Sequence, residues 1–357
     1  MNLAAVLLPY LLLVTFGGTI KTFDSNKIKA INESPYQGVA VALIDGDDPE
    51  VYTIKDFQEA VNRIKADCRK HIWPWVFFNR MIGYNPEGTN NRRGDKPYFR
   101  KIKGIDLYDE AGALSDFLHH FRLALRVAKD LGSPGVFIDP ESYNNYLNYQ
   151  LTYVAEQLGR TPEETKERMQ AVGGEIIDVV AAEYPQAILW FGFTGLATPL
   201  QLAKRGEQKE LLSPAFIVQG MLARAKELGL PVKIVSGGQV SLGYCQESLA
   251  GLQTTIQTRQ QQFAPWLSTY PQLALAGTIA PWADARRKSG WLLKRKCGQA
   301  TMQNLDDFKP LFRELLQTYR YIWIYAAGAA GYDPYSQAAQ PYNAALRDVL
   351  QSLQAAH

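Results

Sequence analysis

The chain has 357 residues, 46% of them hydrophobic and 20% charged, with a formal net charge of +3. That is ordinary for a globular protein with a large core, and the charge is too mild to indicate a nucleic-acid partner. Cys68, Cys245 and Cys297 form no CxxC pair and no dense disulfide framework, which leaves the redox compartment open, and the four histidines include no HxH or HExxH, which counts against a catalytic metal held mainly by imidazole.

The first segment, MNLAAVLLPYLLLVTFGG, has the apolar run of a signal peptide but neither the basic n-region nor the A-x-A site. Pro9 and Gly17-Gly18 interrupt it too early for a stable membrane span. It reads instead as a buried strand, Tyr10 to Phe16, followed by a short helix around Ser25 to Ile31. Seven further apolar runs rich in β-branched and aromatic residues follow, each leading into a helical pattern. They are GVAVALIDGDD (38–48), HIWPWVFFNRMIG (71–83), GVFIDPES (135–142), AILWFGFTG (187–195), VKIVSGG (232–238), LALAGTIAPWAD (273–284) and YIWIYAAGAAG (321–331). The run at 135–142 precedes a long helical region ending near Ala187.

Strands alternating with helices predict a parallel sheet, and eight such units close a barrel. The expected fold is therefore α/β, a single (β/α)8 TIM barrel over residues 1–357 with elongated βα loops. An open doubly wound sheet is the alternative, but no GxGxxG follows the first strand and there is no Walker-type loop. In such a barrel the chemistry sits at the C-terminal strand ends.

Four of these ends carry polar groups that a fold alone does not need. Strand two ends in Asp45, Asp47 and Asp48, strand three in Asn79-Arg80, strand four in Asp139 and Glu141, and strand seven in Trp282 and Asp284. The strand-two aspartates suit sugar hydroxyls or a metal such as Mg²⁺, or form a polar turn. On strand eight, Tyr321, Trp323 and Tyr325 alternate with Ile322 and Ile324. Period two therefore puts the aromatics on the inward face, as a floor for a sugar.

Asp139 and Glu141 share a face with Phe137, so both carboxylates point toward the barrel axis, with Cα atoms roughly 6–7 Å apart. Two ionised carboxylates that close disfavour each other. One held protonated can act as a general acid while its neighbour orients or stabilises, which is the pairing that glycoside hydrolysis calls for. The bland reading of Asp-Pro-Glu is a turn leading into a helix. The VFI-Asp139-Pro140-Glu141 stretch resembles the D-x-E end of strand four in family 18 chitinases and family 25 muramidases. That resemblance implies a barrel acting on amino-sugar glycans, with Glu141 as general acid and Asp139 assisting. The further strand-four aspartates of the chitinase pattern are replaced here by Gly135 and Phe137.

Around this pair, Tyr143 and Tyr146 belong to a helical stripe of tyrosines that packs or contacts sugar. Asp284 is a candidate nucleophile opposite Glu141, on a small-residue face with Ala274, Ala276, Thr278 and Ala280; its bland role is to pair with Arg286-Arg287. Two basic loops, around Arg92-Arg93 and Arg286-Arg287, are solvated surface or a means of drawing in an anionic glycan. The expected function is a glycoside hydrolase cleaving a polysaccharide or oligosaccharide without metal or other cofactor, secreted or periplasmic. Glu141 and Asp139 carry the chemistry, and Asp45, Asp47, Asn79, Arg80, Tyr143, Tyr146, Trp282, Trp323 and Tyr325 bind substrate. The alternatives are a retaining glycosidase using Asp284, a glycan-binding barrel without turnover, and a metal-dependent barrel lyase.

Overall fold

The computed structural model describes residues 11–44, 52–77, 107–141, 149–197, 211–239, 241–242, 248–281, 305–325 and 334–355. Eight parallel strands close a barrel in chain order: β1 (Leu11–Thr19), β2 (Gly38–Ala42), β3 (His71–Phe77), β4 (Gly135–Asp139), β5 (Ile188–Phe191), β6 (Lys233–Ser236), β7 (Leu273–Ile279) and β8 (Tyr321–Ile324). Around them lie α1 (Ser25–Asn32), α2 (Gln58–Asp67), α3 (Ala113–Asp130), α4 (Leu151–Leu158), α5 (Pro162–Glu183), α6 (Ser213–Glu227), α7 (Leu249–Thr269), α8 (Leu305–Thr318) and α9 (Gln340–Gln354). This is the (β/α)8 architecture that the alternation of patterns predicts.

The N-terminal apolar run closes the barrel. β1 pairs with β2 from Leu13 opposite Gly38 onward, and with β8 from Leu11 opposite Tyr321 to Val14 opposite Ile324. Among the described residues no helix is long and apolar enough to cross a membrane.

Side chains alternate between two apolar layers, as period two requires. Val136, Ile138, Ile322 and Ile324 face the helices, whereas Leu13, Trp73, Phe137, Trp190, Tyr321 and Trp323 fill the barrel. Trp323 is thus inward and the isoleucines outward. Ala274 and Ala276 line the interior, but Ala280, one residue beyond β7, joins the outer layer.

Among the described residues, the helical region after β4 is divided at Gly159 into α4 and α5. Gly159 ends α4 in the left-handed region at φ 63°, and Thr161 then starts α5 with a capping box to Glu164 and Pro162 in its first turn. Gly-Arg-Thr-Pro is thus a stop followed by a start, which outweighs the helical periodicity on either side.

Candidate active site

Asp139 is the last residue of β4, paired with Phe77 of β3 and 4% exposed. Its Oδ1 accepts the backbone N–H of Glu141 at 2.8 Å. A carboxylate bonded to the amide two residues on makes a turn, and Pro140 between them fixes φ. The turn of the bland reading is present, and it sets the direction in which Glu141 leaves the strand.

The half-buried side chain of Glu141 meets Gln239, which follows β6: Gln239 Nε2 donates to Glu141 Oε1 at 2.7 Å. Among the described residues no side chain bonds the other carboxylate oxygen. Gln239 is itself 3% exposed, and its position is built from the backbone up. Beyond the end of β6, Gly237 N–H donates to Phe191 O at 2.7 Å and Gln239 N–H to Gly192 O at 3.0 Å, so the chain stays attached to β5. The Gln239 amide lies against Gly192, where a Cβ would stand 2.7 Å from its Oε1. On the other side, the Thr278 hydroxyl of β7 donates to Gly237 O.

Aromatic rings lie below the two carboxylates. Trp323 packs on Phe137 and on Tyr325, each at 4.8 Å between centroids, and Trp75 packs on Phe77 at 4.9 Å and on Phe137 at 5.5 Å. Trp323 is 1% exposed and serves as the covered base of this group, whereas Tyr325 is half-buried at its edge.

Behind the barrel wall, α7 contributes a buried guanidinium. Arg259 donates from Nη1 to Ala276 O at 2.8 Å and from Nη2 to Ser236 O at 2.7 Å. The β6–β7 ladder ends at Ser236 opposite Leu275, so the arginine fork bridges the two strands where they separate. Gly238, at φ 75°, sits directly on it, with 3.0 Å between a would-be Cβ and Cζ. The rings of Phe263 and Tyr319 flank the cation at 5.4 and 5.5 Å. Burial pushes the Arg259 guanidinium below its ordinary value, and Tyr319 opposes that shift.

Of the residues singled out in the sequence, Asp139 is bonded to Glu141 and Trp323 packs on Tyr325, and the two pairs are linked through Phe137, which lies two residues before Asp139 and against Trp323. Asp45, Asp47, Asn79, Arg80, Tyr143, Tyr146, Trp282 and Asp284 lie outside the described residues, as do both basic loops around Arg92-Arg93 and Arg286-Arg287. Among the described residues no group of three His, Cys, Asp or Glu side chains could hold a metal. Sequence reasoning misses Gln239 and Arg259. The Ser-Gly-Gly-Gln end of β6 was a signal for Gln239, since a polar side chain follows two glycines at a strand terminus. Arg259 gave none.

No protein-family model matches the chain, and no curated protein matches it in sequence. Similarity to solved structures is extensive. A GH5-4 broad specificity endoglucanase from an uncultured bacterium superposes with a TM-score of 0.52 at 10% identity, over 95% of this chain and 93% of that one. The endo-β-mannanase/endo-β-glucanase PbGH26A-GH5A of Prevotella bryantii gives 0.50 at 8% identity, over 96% of this chain and 48% of that one. At such identities the likeness is one of fold: the chain shares its barrel with enzymes that cleave polysaccharides.

Proposed function

We propose that the chain is a glycoside hydrolase acting on a polysaccharide, with Glu141 as general acid/base and Asp139 assisting. The observation that carries this reading is the Glu141 carboxylate just beyond the C-terminal end of β4, aimed by the Asp139 turn and held by Gln239, whose amide shares the space over Gly192 with the Trp323 ring. In the reaction Glu141 gives its proton to the glycosidic oxygen as the bond to the anomeric carbon breaks. Asp139 acts through the backbone, keeping Glu141 at the leaving oxygen. The developing positive charge on the sugar is met by a nucleophile from the opposite face, which in this reading is Asp284 or the substrate's own acetamido oxygen.

The test is turnover of wild type and Glu141→Gln on soluble β-glucan, glucomannan, xylan and glycol chitin, with product sizing. The substitution keeps the shape and removes the proton, so kcat falls by about 10² to 10⁴ while glycan binding persists. Asp284→Ala separates the routes: with Asp284 as nucleophile it is nearly inactive and is rescued by azide, whereas acetamido attack leaves it active on glycol chitin alone. Wild-type binding without turnover on any glycan favours a glycan-binding barrel, a role the aromatic rings alone would serve. Near-normal turnover by Glu141→Gln removes the strand-four proposal.

A further inference from the structure

Gln239 touches the candidate acid, yet it has no chemistry of its own to offer a sugar-cleaving reaction. Its amide nitrogen is a donor only, so the Glu141 oxygen facing it must accept. A carbonyl oxygen accepts from an amide better than a carboxyl hydroxyl does, so in protonated Glu141 this contact favours Oε1 as the carbonyl and Oε2 as the carrier of the transferable proton.

From this geometry we infer that Gln239 is a positioning residue that assigns the Glu141 proton to Oε2, and that Arg259 and Thr278 act through the β6 turn to hold it there. The inference rests on the reading of Glu141 as the general acid. The turn from Ser236 to Gln239 is gripped on three sides. β5 takes its amides through Phe191 O and Gly192 O, Thr278 of β7 donates to Gly237 O, and Arg259 bonds Ser236 O from behind while lying under Gly238. A conformation with positive φ at Gly238 holds Gln239 over Gly192, and no side chain at 192 stands in the way. A buried guanidinium that, among the described residues, answers two carbonyls and no carboxylate makes poor sense as a stabilising ion pair. It makes good sense as a fork that fixes where two strand ends part. Loosening the turn would let the Glu141 carboxyl rotate and present the wrong oxygen, and a misplacement of about 1 Å costs on the order of 10²-fold in rate.

The experiment compares two substrates that differ in their need for a proton. Polysaccharides have poor leaving groups and require general acid, whereas 2,4-dinitrophenyl glycosides of glucose, mannose, xylose or N-acetylglucosamine do not. Gln239→Leu is expected to lose about 10²-fold in kcat on the polysaccharide that wild type cleaves, with much less lost on the matching dinitrophenyl glycoside. Arg259→Lys and Thr278→Val are expected to give the same pattern at smaller amplitude; if the arginine variant does not fold, Thr278→Val carries the comparison. Equal losses on both substrates, or none on either, overturn the inference. Failure of the underlying reading is distinct, since Glu141→Gln would then keep polysaccharide turnover or wild type would have none. In that case the contact itself is read from the Gln239 side-chain amide in ¹⁵N-glutamine-labelled protein. Its signals should move in Glu141→Ala and in Arg259→Lys, and unchanged signals refute the positioning unit.

Discussion

Gly38 opens β2, and the absence of its side chain is used. A Cβ there would meet Trp73 Nε1 at 2.7 Å and Leu13 Cδ1 at 3.2 Å, so the indole of Trp73 occupies the space that any other residue would fill. Both neighbours are fully buried inside the barrel and have nowhere to yield. Gly38→Ala should therefore destabilise by about 1 to 3 kcal/mol, the ordinary cost of overpacking, as measured by urea unfolding. A loss below a few tenths would mean that the barrel interior relaxes more easily than a close-packed core does. Gly192 uses the same device at the mouth, where the space goes to the amide of Gln239 and the edge of Trp323 rather than to a core ring.

Among the helices, α5 ends on a residue that its own dipole disfavours. Glu183 stands in the last turn, where the exposed carbonyls already carry partial negative charge. Three cations of α3 outweigh this. Arg126 binds the carboxylate through both Nε and Nη2 at 2.8 Å, Arg122 approaches at 3.3 Å, and Lys129 bonds the Glu183 carbonyl. The hydrogen bonds from Arg126 hold the Glu183 carboxyl below its ordinary value of 4.5. The folded protein thus binds that proton less readily than the unfolded chain. The stabilisation is complete above the ordinary value and drains away as pH falls through and below it. Glu183→Gln is expected to cost on the order of 1 kcal/mol at pH 7, because the pair is only partly shielded from solvent. The difference from wild type should close in acid, in a series of urea titrations, and a gap that persists undiminished would show that packing rather than charge joins α3 to α5.

At the scale of the molecule, the barrel was legible because each unit repeats two local signals: a β-branched or aromatic run, then a 3.6-residue period. The same parity placed Trp323 inward and Ile322 and Ile324 outward, since alternation along a strand is decided by neighbours in sequence, whereas Glu141 leaves β4 by the Asp139 turn. Gln239 depends on a partner 98 residues away and on glycines that read locally as an ordinary turn. Arg259 sits in a polar helix stretch, TRQQQ, that looks like a solvated face, and only the docking of α7 over the β6–β7 gap buries it. The Ser-Gly-Gly-Gln stretch marks a polar strand end but not its partner, and nothing local marks Arg259. One long-range contact makes the barrel observable from within. Trp73 on β3 and Trp190 on β5 come within 5.8 Å of each other across β4, at 87° between ring planes. Two indoles at that separation share their excited states, so they should give a pair of opposite-signed circular dichroism bands that neither ring produces alone. Trp73→Phe and Trp190→Phe should each erase the same pair, and the double variant should erase nothing further; simple addition of the two difference spectra would show the chromophores to be independent. Since the rings are far apart in the chain, the bands should appear during refolding only when β3 and β5 have both taken their places beside β4, a light signal for the assembly of that wall written into the side chains that fill the barrel.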